Sequence, residues 1–326
     1  MKPNLFKYAT SELSQDAFIL WLLDWANPEC ATEDKALHET AQEFVRLLLN
    51  CKDLDISSVE CKKQEHHIDV FAIVNGEYAL IIEDKTNTSE HGNQLKRYSE
   101  WVQGEKKYSD LELHCVYYKT GNESYAKLKR LKENYIKEYP EENFLIITRE
   151  DVLQVFKQST TSNAIFCDYV EHLQKIQDLT DLYLSLPLKE WKWETWQGFY
   201  MALEKELQAG DWGYVANPSG GFLGFWWHWN SIASCPEVDI YLQFEQKKLC
   251  VKSYQKDGVE KGFYYSDQFI QLAKEKNISL EYPERRRKGT TMTLAVHKLP
   301  DTANVSEIVL LLKDIEQFLD EACKQL

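Results

Sequence analysis

Two short apolar runs flanking a turn signal constrain this chain most. They read Ile68-Asp69-Val70-Phe71-Ala72-Ile73-Val74, then Asn75-Gly76-Glu77, then Tyr78-Ala79-Leu80-Ile81-Ile82-Glu83-Asp84-Lys85. Runs of about 4–8 residues this rich in β-branched and aromatic side chains are strands, and an intervening Asn-Gly makes them a hairpin. A strand apolar on both faces belongs inside a sheet. Charges at its end are costly unless they pair with each other or meet a metal ion.

Alternation puts Glu83 and Lys85 on one face, about 6.6 Å apart, and Asp84 on the other. The face of Asp69 depends on the turn. A two-residue Asn-Gly loop sets Asp69 opposite Ile82, whereas a three-residue loop Asn75-Gly76-Glu77 sets it opposite Glu83. A site that joins Asp69, Glu83 and Lys85 therefore requires an odd-length loop or a bulge. Such a site suits Mg²⁺, with Mn²⁺ as a substitute, held by Asp69, Glu83 and the backbone carbonyl of Asp84 with several waters. The metal acidifies a water and offsets phosphate charge, while Lys85 orients the water and stabilises the transition state.

A chain of 326 residues exceeds one ordinary core, so two domains are expected. The eight cysteines are scattered without a Cys-x-x-Cys pair and read as reduced thiols rather than a zinc site. No apolar run reaches the roughly 18–20 residues that span a bilayer, and the N-terminus lacks a signal-peptide segment, so a cytoplasmic location is expected. A net charge of −14 argues against broad affinity for nucleic acid, but leaves room for a locally basic cleft.

Leu13 to Phe18 reads as a helix start with Ser14 as cap and Asp16 in the first turn; Phe18, Trp21, Leu22 and Trp25 follow at helical spacing. A second helix is expected over 35–50, strands over 57–64, 67–74 and 78–86, and a helix over 91–103. Strands at 113–118 and 144–147 enclose a helix at 124–138, and 149–177 reads as helix again. Near Leu186-Pro187 the composition changes, with seven of the ten tryptophans falling between Trp191 and Trp229. This divides the chain into 1–185 and a Trp-rich α+β domain, 186–326. In that second part helices are expected at 190–208, 265–276 and 304–325. Its strands are expected at 212–216, 222–229, 238–245, 247–254 and 290–297.

Asp69…Glu83-Asp84-Lys85 on a helix–three strands–helix–strand scaffold resembles the PD-(D/E)XK nuclease superfamily. More closely, Ile82-Glu83-Asp84-Lys85 followed by Gln94-Leu95-Lys96-Arg97-Tyr98 resembles a prokaryotic group with Ile-Glu-Asn-Lys-like and Gln-Leu-x-x-Tyr motifs. The opening helix, Ser14…Phe18-Ile19-Leu20-Trp21-Leu22-Leu23-Asp24, and His38 also match that group. The resemblance covers about residues 10–150. Ile68 stands where the superfamily name has proline, and Asp84 where the closer group often has Asn.

The resemblance implies an α/β fold with a restriction-endonuclease-like core, a central mixed sheet flanked by helices. It implies Mg²⁺-dependent hydrolysis of nucleic acid, with DNA as the expected substrate, in defence, repair or mobile-element biology. Gln94 either binds the nucleophilic water or a phosphate, or caps a helix. A further acidic ligand is expected from the helix before the first strand: Glu39 or Glu43, which sequence does not separate, with Glu12 a third choice.

Blander readings compete at several positions. Tyr98 shares a helical face with Leu95 and Val102 and reads as core. His38 reads as structural, and His66 and His67 as strand-edge residues; with His91 they show no ligand spacing. Phe222 to Trp229 reads as packed core before it reads as a base-stacking surface. The basic run Arg285-Arg286-Arg287-Lys288 reads as a solvated loop before a phosphate contact. A non-catalytic binding or sensor module with the same fold is the competing class, and inhibition by the C-terminal domain a second alternative.

Overall fold

The computed structural model describes residues 2–326 apart from Gln64, residues 89–93, Pro218, Ser219 and Val259. The chain forms two compact units, Met1–Glu123 with Leu128–Asp178, and Ser124–Lys127 with Leu179–Leu326.

The first unit is a mixed α/β layer structure. Its helices are α1 (Glu12–Asp24), α2 (Lys35–Leu49), α3 (Gln94–Gly104), α4 (Tyr125–Glu138), α5 (Arg149–Phe156) and α6 (Ala164–Asp181). Its strands β1 (Val59–Lys62), β2 (Val70–Val74), β3 (Tyr78–Lys85), β4 (Glu112–Lys119) and β5 (Asn143–Thr148) form one sheet in that order. β1, β2 and β3 run antiparallel; β3, β4 and β5 run parallel, joined through α3 and α4. Parallel neighbours need such crossovers, and these cover one face. Leu95, Tyr98, Val102 and Tyr135 from α3 and α4 pack there with Phe71, Ile81, Cys115 and Tyr117. The other face packs Ile82, Val116 and Tyr118 against Phe18, Phe44, Phe156 and Tyr169 from α1, α2, α5 and α6.

α1 begins three residues earlier than sequence implied. Ser11 is the cap, its Oγ accepting from Ser14 N at 3.3 Å. Gln15 and Asp16 are consequently buried inside the helix instead of at its mouth, and Leu13 is exposed. The helical stretch over 149–177 is two helices. Thr148 and Asp151 form a capping box for α5, and Asn163 accepts from Ile165 N to start α6.

The second unit is α+β. Strands β6 (Asp211–Val215), β7 (Phe222–Ile232), β8 (Cys235–Glu245), β9 (Lys248–Tyr254) and β10 (Thr291–Lys298) make an antiparallel sheet ordered β10-β9-β8-β7-β6. Helices α7 (Trp193–Leu207), α8 (Gly262–Glu275) and α9 (Val305–Gln325) all feed one core with Phe225, Trp227, Phe244 and Val251. Among the described residues no helix is long and apolar enough to cross a membrane.

Candidate active site

The hairpin loop decides which side chains meet. Val74 pairs with Tyr78, so the loop has three residues, and Val70 pairs with Ile82. One step further out, this register sets Asp69 opposite Glu83. Asn75 and Gly76 both have positive φ, 56° and 67°, a conformation that Asn tolerates and Gly adopts freely. Asn75 also anchors the turn: its Oδ1 accepts from Ser57 N at 2.8 Å and its Nδ2 donates to Asp55 O at 2.8 Å.

Asp69, Glu83 and Lys85 converge at the end of β3. The Lys85 ammonium contacts the Glu83 carboxylate, lies 3.8 Å from Asp69 Oδ2 and donates to the Asp84 carbonyl at 3.1 Å. Asp69 Oδ2 also accepts from Asp84 N at 3.1 Å. Glu83 is 0% exposed, and neither of its oxygens takes a well-aligned hydrogen bond among the described residues. Burial, reinforced by the charge of Asp69, pushes Glu83 up to about 8. Burial likewise raises Asp69. For Lys85 burial opposes the charged form, but Glu83 and Asp69 outweigh it and hold its pKa above the usual lysine value.

Asp84 points to the opposite face, as alternation requires, and there it meets α1. Its Oδ1 accepts from Gln15 Nε2 at 2.5 Å. Gln15 Oε1 in turn accepts from Thr120 Oγ1 at 3.1 Å and Tyr169 OH at 2.9 Å. The Asp16 carboxyl acts electrostatically on Asp84, and Asp16 Oδ1 and Asp84 Oδ2 are both buried without a hydrogen-bond partner among the described residues. Burial and the charge of Asp69 raise Asp16 to about 7, and burial and the charge of Asp16 raise Asp84 well above its ordinary value.

Glu12, one turn before Asp16, accepts from Thr86 N at 3.0 Å and Thr88 Oγ1 at 2.6 Å, fixing the chain that leaves β3. Burial works against its charge, but these hydrogen bonds and Lys85 lower its pKa. Glu39 and Glu43 are not brought into this cluster. Both are largely exposed on α2, 3.6 Å from Lys35 and 2.7 Å from Arg46 respectively. The helix that supplies the nearby acids is α1, not α2.

Gln94 begins α3 and its Nε2 donates to Tyr98 OH at 3.3 Å, while Tyr98 OH donates to His67 O at 2.8 Å. Tyr98 is core, and both Glu83 and Asp69 act electrostatically on its hydroxyl. His38 is structural, its Nδ1 2.9 Å from Trp25 O. His66 stacks on Trp101 with centroids 4.7 Å apart. His91 lies outside the described residues.

Three polar residues at this strand end escaped sequence reasoning. Gln15 and Asp16 were hidden by the misplaced cap. Lys119 ends β4 in register with Lys85, is 2% exposed, and donates to Thr88 O at 2.5 Å. The signal for it was available: a lysine closing the apolar run Leu113 to Tyr118, as Lys85 closes its own.

Among the described residues no three acidic, imidazole or thiol side chains converge as a ready-made metal cluster. The available donor set is two carboxylates and a main-chain carbonyl, all hard oxygens.

A family model described as the PD-(D/E)XK nuclease superfamily matches residues 3–177. Searches of curated proteins and of solved structures returned no match.

Proposed function

Because the chain belongs to the PD-(D/E)XK nuclease superfamily, we propose that it is a metal-dependent nuclease that hydrolyses phosphodiester bonds in DNA. The observation that carries this reading is the three-residue loop, whose register brings Asp69 to the face of Glu83 and Lys85.

The residues fit a hard divalent ion. Glu83 offers two buried oxygens without a well-aligned donor, and a cation would offset the charge that burial penalises. Asp69, Glu83 and the Asp84 carbonyl would hold Mg²⁺ or Mn²⁺, with waters completing the shell. When bound, the ion supplies an acidified water and neutralises phosphate charge. Lys85 remains protonated at neutral pH and donates to the attacking water or to a phosphate oxygen. Gln94, whose Nε2 is tied to Tyr98, would keep its side-chain carbonyl available to a water or substrate, and Glu12 holds the strand exit in place. Defence, repair or mobile-element biology are the roles this activity would serve.

The test is cleavage of plasmid and single-stranded DNA in Mg²⁺, Mn²⁺ or EDTA, comparing wild type with Asp69→Ala and Lys85→Ala. Metal-dependent cleavage lost in both variants supports the reading. Equal cleavage by all three proteins, or none by wild type on any substrate, overturns it in favour of a non-catalytic module.

A further inference from the structure

The second unit's sheet packs one face against α7, α8 and α9; its opposite face buries Tyr241, Gln243, Cys250 and Lys252 but leaves Trp229, Tyr254 and Lys248 exposed. Alternation predicts that Trp229 should point into the core with Phe225 and Trp227. It does not, because of a bulge. Trp227 pairs with Leu242 and Asn230 with Ile240, so His228 and Trp229 together oppose Tyr241. His228 takes φ 54°, and its Nε2 sits 2.8 Å from Asp320 Oδ1 on α9. Trp229 is thereby turned to the open face, where it stacks on Tyr241 at 4.1 Å and 17° and remains 53% exposed. Bulges that re-aim a side chain recur next to binding sites.

From Trp229 the cross-strand row continues through Tyr241, Lys252 and Thr293. Tyr254 lies one row beyond Lys252 and is 37% exposed. On the other side lies a cavity of about 200 Å³ lined by Lys248, Lys298, Arg285, Tyr282 and Thr293. Glu245 and Glu284, which also line it, are matched by Lys252 at 2.8 Å and Lys298 at 3.7 Å. Asp239, opposite Tyr254, and the exposed Glu237 two residues before it on β8 alternate with the core residues Val238 and Ile240 and so lie on this side of the sheet. Arg285 and Arg287 are exposed and make no ion pair among the described residues, and Arg286 is held between Phe263 and Tyr282. Lys248, like Arg285 and Arg287, is exposed and takes no ion pair among the described residues, beside the exposed rings of Trp229 and Tyr254.

We propose that this open face binds single-stranded nucleic acid, its bases stacking on Trp229 and Tyr254 and its phosphates following Lys248, Arg285 and Arg287. Aromatic platforms on an open sheet, flanked by cations, recognise unpaired bases because every base has a π-face. Duplex DNA hides those faces and gains only the electrostatic part. The inference stands apart from cleavage, since none of its residues belongs to the Asp69 cluster.

The experiment is fluorescence anisotropy in EDTA with fluorescein-labelled dT20, rU20 and a blunt hairpin duplex. The full chain carrying Asp69→Ala is compared with the same chain carrying Trp229→Ala or Arg285→Ala/Arg287→Ala, each checked by thermal melting. Tight binding of dT20 or rU20 over the duplex is expected, the two strands deciding between DNA and RNA. Trp229→Ala should weaken it roughly 5- to 150-fold, as losing one stacked base does. The double Arg variant should lower the salt slope of log K by about 1.4. The proposal is overturned if the duplex binds as well as the single strands, if neither strand binds, or if folded Trp229→Ala binds unchanged. Failure here with metal-dependent cleavage intact would leave the nuclease reading standing, and the reverse result would sink that reading alone.

Discussion

Replacing Asp84 by Asn should remove a pH-dependent instability from the first unit. Asp84 is 0% exposed and bonded to Gln15, and burial, reinforced by the charge of Asp16, raises its pKa well above the ordinary carboxylate value. A raised native pKa means that the folded chain holds this proton more tightly than the unfolded chain. The stability it confers is complete below about pH 4 and is lost progressively as pH rises above that towards the raised native pKa. Each pH unit over which the folded chain keeps this proton and the unfolded chain does not costs about 1.4 kcal/mol. The substituted amide keeps an oxygen for Gln15 and cannot ionise, so the part of the loss that belongs to Asp84 disappears, while the part at Asp16, set by burial and the charge of Asp69, remains. The Asp84→Asn protein should therefore resist urea at pH 8 better than wild type by about 2–3 kcal/mol and differ little at pH 5. Urea titrations at both values, with hydrogen exchange read on peptides covering α1 and β3, make the comparison. Equal pH slopes for the two proteins, or a loss of stability of the same size at both values, would refute the raised pKa of Asp84.

Other expectations follow from the same geometry. Lys85→Met should leave the fold intact and reduce cleavage by about 10²–10³, as removal of a transition-state donor does; single-turnover rates measure it. Glu12→Gln should slow cleavage by about tenfold, since it removes the charge beside Lys85 and leaves Thr86 and Thr88 a neutral, weaker acceptor, whereas Glu39→Ala and Glu43→Ala should match wild type. A slow Glu43→Ala with a normal Glu12→Gln would reverse that assignment. Gly121→Ala should lower the melting temperature through a loss of about 1–3 kcal/mol, because the added Cβ would lie 2.0 Å from the Thr86 carbonyl oxygen. An unchanged melt would show that this close approach carries no stability.

Much of the first unit could be read from residue pattern because its strands are buried on both faces. The run Leu80-Ile81-Ile82 admits no position but the sheet interior, and the Asn75-Gly76 turn marks the hairpin. Pattern alone left the loop at two residues or three, and hence left Asp69 on either face; the packing of Asn75 against Asp55 and Ser57 selects three. Which helix lies over the strand end is a tertiary matter. Glu39 and Glu43 have the right spacing but face solvent, while Asp16 is buried only because Ser11 caps α1 a turn early. In the second unit, alternation accounts for Phe225 and Trp227 in the core. It fails at Trp229, where contacts from α9 to His228, Asn230 and Trp227 hold a bulge that no local sequence signal announces.

Mn²⁺ binding measured against pH, in wild type and Glu83→Gln, tests the proposed metal site most directly. A proton and the ion compete for the Glu83 oxygens, and Glu83 is pushed up to about 8 by burial and by Asp69. Electron paramagnetic resonance of free Mn²⁺ should therefore show wild-type affinity rising about tenfold per pH unit from 6 to 8 and levelling above. Glu83→Gln should bind far more weakly and without that slope. Equal affinity in the two proteins, or a wild-type affinity that does not change with pH, would contradict the placement of the ion at Asp69 and Glu83.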